Sequence, residues 1–218
     1  MVFWRLLART LTAVLFDWDG TLCDSGAAHF DAFRKTLADF GIAITRDRFN
    51  AVYTPAWYRM YEAFGLPRAK WPLADQCWLR HYGEQTCDLL PGAAAAVASL
   101  NAAGMRLGIV SGGNRSRIER ELACGGLSAV FPALVCHEDV VEKKPHPEGV
   151  LKALAALATA PANCCFVGDT PEDVAMGRAA GVATVAVVTE FVERGRLEAS
   201  APDELLDSIE ELPSLLLG

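Results

Sequence analysis

The sequence predicts an α/β fold: a doubly wound, Rossmann-like parallel sheet with a helical segment inserted after the first strand. Three observations predict it. Apolar runs at 12–16, 105–110, 133–136, 163–167 and 182–188 are continuous rather than alternating, the pattern of strands buried on both faces. Helical patterns separate them, and strands alternating with helices wind into a parallel sheet. The stretch 24–90 breaks the alternation, with no convincing strand and three of the five tryptophans.

Taken in order, Thr12-Ala13-Val14-Leu15-Phe16 is the first strand, and Asp17-Trp18-Asp19-Gly20-Thr21 follows it directly. Within 24–90, Phe30, Phe33, Leu37 and Phe40 make one apolar helical face. Pro55, Pro67, Pro72 and Pro91 cut the remainder into short helical pieces. The aromatic content there reads as the core of the insert rather than as a ligand box. Residues 92–103 form an Ala-rich helix with Val97 and Leu100 three apart. The second strand, 105–110, leads to a helix opening at Asn114. After the third strand, residues 147–158 place Val150, Leu151, Leu154, Leu157 and Ala158 on one face. The fourth strand turns Cys164 and Cys165 to opposite faces, and helices at 171–180 and 203–216 complete the set.

A chain of 218 residues with 52% apolar composition buries a sizeable core. A net charge of -7 argues against nucleic-acid and anionic-membrane partners, which want a basic patch. It leaves phosphorylated substrates open, because a local cluster of Lys, dipoles and metal holds those. Seven cysteines without framework spacing and without a CxxC pair read as reduced thiols of a cytoplasmic protein. The N-terminal apolar stretch is broken by Arg5 and Arg9 and lacks a cleavage site, so no signal peptide is expected. No uncharged apolar run of about 18 residues predicts a membrane span.

The chemistry-bearing residues all follow strands. A parallel sheet gathers such loops at one edge, where open α/β sheets bind their ligands. Asp17 and Asp19, two residues apart and followed by Gly20, can hold a hard cation while one oxygen attacks. Ser111 and Gly112 offer a hydroxyl and an open backbone N–H, with a helix N-terminus beyond; a plain turn with Asn114 as N-cap fits the same residues. Lys144, in the stiff loop Lys143-Lys144-Pro145, can neutralise a phosphoryl oxygen, whereas Lys143 reads as a surface residue. Asp169 ends the fourth strand as a third metal-facing acid. Asp173 fits a capping box with Thr170 and Pro171 at the next helix start, or a site residue, and the two are compatible. Arg115 is a candidate substrate contact. His137 and His146 read as structural, and Arg34, Arg46, Arg48, Arg59, Arg68 and His81 mostly as a solvated helical face.

In combination, Asp17-Trp18-Asp19-Gly20-Thr21-Leu22-Cys23-Asp24-Ser25, Val110-Ser111-Gly112, Lys144-Pro145 and Gly168-Asp169-Thr170-Pro171-Glu172-Asp173 resemble the four motifs of the haloacid dehalogenase-like superfamily, and specifically its phosphoglycolate-phosphatase-like branch. The resemblance spans almost the whole chain. It implies a hydrolase core at 1–23 and 91–218 and a helical cap at 24–90. It implies that Asp17 is the nucleophile and Asp19 the general acid and base. Mg2+ is then held by the Asp17 carboxylate, the Asp19 backbone carbonyl and Asp169, with Asp173 supporting the metal shell or Lys144. Ser111, Gly112 and Lys144 then hold the phosphoryl oxygens. The implied substrate is a small phosphorylated metabolite, phosphoglycolate-like or a sugar phosphate, and the implied state a monomer or homodimer.

Asp19 argues against the family's dehalogenases and phosphonate-cleaving members, which lack or replace it. Gly168-Asp169, where β-phosphoglucomutases typically carry Glu-Asp, weakens a mutase reading. Gly108-Ile109-Val110-Ser111-Gly112 spaces its residues wrongly for a serine hydrolase, and no phosphate-binding GxxxxGK[ST] loop occurs. The rival from another class is a receiver module that is phosphorylated on Asp and turns nothing over; Asp19 and the length of the insert speak against it.

Overall fold

The computed structural model describes residues 10–83 and 88–218. The N-terminal segment carrying Arg5 and Arg9 lies outside the described residues, as do 84–87 of the insert. Six parallel strands, β1 (Ala13–Phe16), β2 (Arg106–Val110), β3 (Ala133–Val135), β4 (Cys164–Gly168), β5 (Ala183–Val187) and β6 (Glu204–Leu206), lie in the order β3-β2-β1-β4-β5-β6. The doubly wound sheet is as the apolar runs predicted, with strand ends shifted by a residue or so.

Strand order turns at β1, between β2 and β4, so the crevice beyond its carboxyl end is the place for a ligand. Register makes that edge even: Phe16 lies beside Ile109 on one side and Val167 on the other. The Asp17 N–H then donates to the Val167 carbonyl at 2.8 Å, and the Ser111 N–H to the Val135 carbonyl at 2.9 Å.

Each strand is apolar throughout because each face packs its own layer. Val14, Phe16, Ile109, Cys165 and Val167 join the helices α5 (Ala93–Ala102), α6 (Arg115–Cys124) and α10 (Leu212–Leu217). Ala13, Leu15, Val110, Cys164 and Phe166 join α7 (Glu148–Ala156) and α8 (Pro171–Ala180). Cys164 and Cys165 thus do face opposite ways. The expected face of α7 needs one correction: Leu151 is 46% exposed and Ala158 lies past the helix end, while Ala153 is buried beside Val150 and Leu154.

Among the described residues between β1 and α5 are four α-helices, α1 (Gly26–Asp39), α2 (Arg46–Val52), α3 (Trp57–Ala63) and α4 (Trp71–Tyr82). No ladder strand occurs among the described residues of 24–90; Leu89 makes a single bridge to Cys23. Phe33 and Leu37 of α1, Phe49 of α2, and Met60 and Tyr61 of α3 form a third cluster, with Phe30 and Phe40 packed against it. That cluster continues into Ala186, Phe191, Val192 and Leu197, from β5 and the segment leading into α9 (Arg194–Ala199).

The helix expected at 203–216 is overturned in its first part. Glu204–Leu206 pairs with β5 as an edge strand, Val185 lying beside Glu204 and Val187 beside Leu206. Asp203 starts it, its carboxylate accepting from the Thr184 N–H and hydroxyl at 2.8 Å each. Helical turns resume only at Ile209, where Ser208 caps them.

Candidate active site

Three acids converge at the sheet edge. Asp17 ends β1, Asp169 follows β4, and Asp173 comes up from the first turn of α8; one carboxylate oxygen from each lies within 4.8 Å of the others, and all three residues are buried. Thr21 donates to Asp169 Oδ1 at 3.4 Å and Thr189 to Asp169 Oδ2 at 2.8 Å, which fixes that carboxyl. Gly20 passes beneath it with φ +79°, and a Cβ there would sit 2.3 Å from Asp169 Oδ2. Only glycine meets both the left-handed conformation and the close approach.

Lys144 Nζ lies between two of these acids, 2.7 Å from Asp17 Oδ1 and 2.8 Å from Asp173 Oδ1. Its loop is tied down by Glu148, whose carboxylate accepts from the N–H groups of Val141 and Glu142 and pairs with Lys152. Asp173 closes the expected capping box and also faces Lys144. Its Oδ2 accepts from the Thr170 N–H at 3.2 Å and hydroxyl at 2.6 Å, closing a capping box, while Oδ1 faces Lys144.

Electrostatics here are set by crowding. Burial, together with the Asp173 charge and against the pull of Lys144, pushes Asp17 up to about 7. Burial and the neighbouring Asp17 and Asp173 push Asp169 well above the carboxylate range. Burial disfavours the Lys144 ammonium, but Asp17 and Asp173 outweigh it and keep that group protonated. Once ionised, the three buried acids outnumber the single ammonium beside them. An all-oxygen set of this kind suits a hard divalent cation.

Asp19 stands apart from this cluster. Arg117 of α6 grips it with two bonds, Nη1 to Oδ1 at 2.9 Å and Nη2 to Oδ2 at 2.6 Å, and His29 Nε2 lies 3.1 Å from Oδ1. Burial works against the charged carboxylate, but Arg117 and His29 outweigh it and hold Asp19 well below its ordinary value. Arg117 is itself buried. It also pairs with Glu121 Oε2 at 3.0 Å, and Glu121 accepts from Trp18 Nε1 at 2.7 Å and the Tyr82 hydroxyl at 3.2 Å. The Asp19 side chain therefore faces Arg117 and His29 rather than the acidic cluster.

Neither Arg117 nor His29 stood out in the sequence. Arg117 sits in Asn114-Arg115-Ser116-Arg117, which reads as a charged helix surface. Its spacing of four from Glu121 was the one available signal, since such pairs share a helix face.

On the β2 side, Ser111 is buried and its Oγ accepts from the Gly113 N–H at 2.9 Å, leaving its own hydrogen to donate. At Gly112 a Cβ would meet nothing within 4 Å, so the backbone there is open to a ligand. Asn114 occupies the N-cap position of α6 but makes no capping bond through its side chain; Glu138 accepts from the Arg115 N–H at 3.0 Å instead. Arg115, expected near the substrate, turns away to Asp139 at 2.5 Å and to the Leu134 carbonyl. Arg34, Arg68 and His81 pair with Asp31, Glu62 and Asp39 of the inserted helices, whereas Arg46 reaches Glu190 in the loop after β5 and the Gly26 carbonyl. His146 likewise stays local, its Nδ1 accepting from the Glu148 N–H at 3.3 Å. A hollow of about 190 Å³ above these groups is bordered by Asp17, Asp19, Gly112, Arg117, His137 and Lys144 and by side chains of the inserted helices.

Residues 14–187 match the family model of haloacid dehalogenase-like hydrolases. The chain belongs to that family. As a haloacid dehalogenase-like hydrolase it is 34% identical over 214 residues to the phosphoglycolate phosphatase of Cupriavidus necator, covering 94% of this chain and 93% of that one. It is 28% identical to the pyrophosphatase PpaX of Bacillus mycoides over 94% of this chain and 97% of that one. A solved haloacid dehalogenase-like hydrolase from Bacteroides fragilis superposes with a TM-score of 0.87 at 26% identity, covering 93% of this chain and 99% of that one. The resemblance stated from the four motifs is thereby borne out, and the chain is an enzyme of this hydrolase family. Among the described residues no helix is long and apolar enough to cross a membrane.

Proposed function

We propose that this protein is a Mg2+-dependent phosphatase that hydrolyses a small phosphorylated metabolite through an aspartyl phosphate on Asp17. The observation that carries the proposal is the convergence of Asp17, Asp169 and Asp173 with Lys144 Nζ 2.7 Å from Asp17 Oδ1. Asp17, Asp169, Asp173 and the Asp19 carbonyl would hold the cation. When bound, Mg2+ offsets the repulsion between an attacking carboxylate and a phosphate dianion.

The chain's own residues do the rest. Lys144, the Ser111 hydroxyl and the Gly112 N–H orient the phosphoryl oxygens and take up their charge. An Asp17 oxygen attacks phosphorus and the ester P–O bond breaks. The departing oxygen takes a proton from Asp19. Water then attacks the same phosphorus, gives its proton to Asp19, and the bond to Asp17 breaks to release orthophosphate. Arg117 keeps Asp19 ionised in the arrangement described, which suits the second step. The first requires Asp19 to leave Arg117 and carry a proton to the ester oxygen.

Residues 24–90 act as a cap over a core made of 1–23 and 91–218, excluding water during transfer. The border of the hollow supports this, because it draws Asp17 and Lys144 from the sheet edge and Trp57 and Trp78 from the inserted helices. The free thiols at Cys77, Cys124, Cys136, Cys164 and Cys165 support a reducing, cytoplasmic setting.

Phosphate release from p-nitrophenyl phosphate tests the proposal. Turnover should require Mg2+, stop with chelator, and vanish in Asp17→Asn while the thermal transition stays cooperative. Sustained turnover by Asp17→Asn refutes the nucleophile, and the absence of turnover in the unaltered protein favours a receiver.

A further inference from the structure

Resting on the phosphatase reading, we infer that the substrate is a phosphate monoester whose alcohol part is an uncharged, ring-bearing apolar group rather than a group with a second negative charge. Besides the acids, the hollow is walled by Pro55, Trp57, Tyr58, Trp78 and Leu79. Its volume is about 190 Å³, and an adjoining hollow of about 290 Å³ shares Trp57, Tyr58, Gly112 and Lys144 with it. An apolar cavity of roughly 150 Å³ accepts a benzene ring. Trp57 packs against His137 with ring centroids 4.8 Å apart and planes tilted by 39°, which joins the helical wall to the loop after β3. At the mouth, Tyr58 and Leu79 are 46% and 49% exposed, apolar surface that a ring would cover.

A second anion finds no partner in this space. Among the described residues, the basic side chains bordering it are His29, Arg117, His137 and Lys144. Arg117 is shared between Asp19 and Glu121, His29 lies on Asp19, and Lys144 is taken up by the transferred phosphoryl group itself. Burial, reinforced by Lys143, holds His137 toward its neutral form. Arg59, Lys143 and His146 border only the adjoining hollow. The wall carries an acid instead: Asp75, which accepts from the Tyr58 hydroxyl at 2.8 Å. A carboxylate enclosed beside Asp75 would lose its hydration without gaining a counter-charge.

The test compares 2-phenylethyl phosphate, ethyl phosphate and 2-phosphoglycolate with the full chain and Mg2+. Their leaving alkoxides are similarly basic, so kcat/KM reports the fit of the alcohol part rather than intrinsic reactivity. The phenylethyl ester should exceed both others by at least about tenfold, the scale on which apolar pockets discriminate. Asp75→Lys should move the ratio of kcat/KM at least about tenfold toward 2-phosphoglycolate. A ratio taken on one preparation is independent of how much of the variant folds. Equal or better hydrolysis of 2-phosphoglycolate by the unaltered protein, or a ratio that Asp75→Lys leaves in place, overturns the inference while the phosphatase reading stands. Phosphate release no faster than with Asp17→Asn for all three esters removes the phosphatase reading, and this inference with it.

Discussion

Replacing Arg117 by Met tests the network behind Asp19 most directly. The substitution keeps the apolar stem and removes the guanidinium. Two acids then lose their cation together: Glu121, whose side chain is fully buried, and Asp19, whose side chain is 12% exposed. Breaking a buried pair from one side costs about 3–5 kcal/mol, because the surviving charge stays desolvated. Trp18 and Tyr82 still donate to Glu121, which places the expected cost at the lower end of that range. For a chain of this size each kcal/mol lowers Tm by about 2–4 °C, so a fall of about 6–12 °C follows from about 3 kcal/mol. Urea unfolding at neutral pH measures it, and a buried pair is screened so little that the loss should persist in high salt. Adding Glu121→Gln keeps an acceptor for Trp18 and removes one uncompensated charge. The double variant should therefore recover about 1–2 kcal/mol of the loss. A cost below about 1 kcal/mol for Arg117→Met, or strict additivity in the pair, refutes the account of Arg117 as a buried counter-charge.

Two further outcomes follow from the acidic cluster. Asp19→Asn should lower turnover by about 10²–10⁴-fold, the usual contribution of a proton-transfer group, yet keep the Mg2+-induced rise in Tm, because the Asp19 side chain faces Arg117 and not the cluster. Loss of that rise in calorimetry counts against a backbone ligand at Asp19. The Mg2+-induced rise should also depend on pH. With Asp17 raised to about 7, the metal-free protein gains stability from this group at low pH and loses it as pH rises through about 7, where the acid ionises against its neighbours. Mg2+ needs the ionised form, so its stabilisation should be larger at pH 8 than at pH 5.5. Equal shifts at both pH values contradict the crowded-acid description.

The strands around the switch point were legible because each is long enough and apolar enough to announce burial on both faces. Glu204–Leu206 was not, since three residues flanked by acids also fit an amphipathic helix; only pairing with β5 decides the matter. The site divides the same way. Asp17, Ser111 and Asp169 directly follow strand ends, a one-dimensional signal, and Lys144 lies in the loop after β3. Arg117 reaches Asp19 by packing between elements 98 residues apart, which no spacing rule spans, and His29, only ten residues on, reaches it through the way α1 packs back over the sheet edge. Asp173 shows that a local and a distant explanation can share one carboxylate, with an oxygen for each.

The shared apolar cluster of the inserted helices with Phe191, Val192 and Leu197 limits how this protein can be engineered. Excising 26–82 to obtain a minimal enzyme would uncover those three side chains and leave a sticky surface prone to self-association. Grafting the helices onto another scaffold without the segment from Phe191 to Leu197 would strip them of apolar side chains they pack on. The transplantable unit is therefore discontinuous, and chimeras cut at the boundaries of the insert alone should precipitate where chimeras carrying both pieces stay in solution.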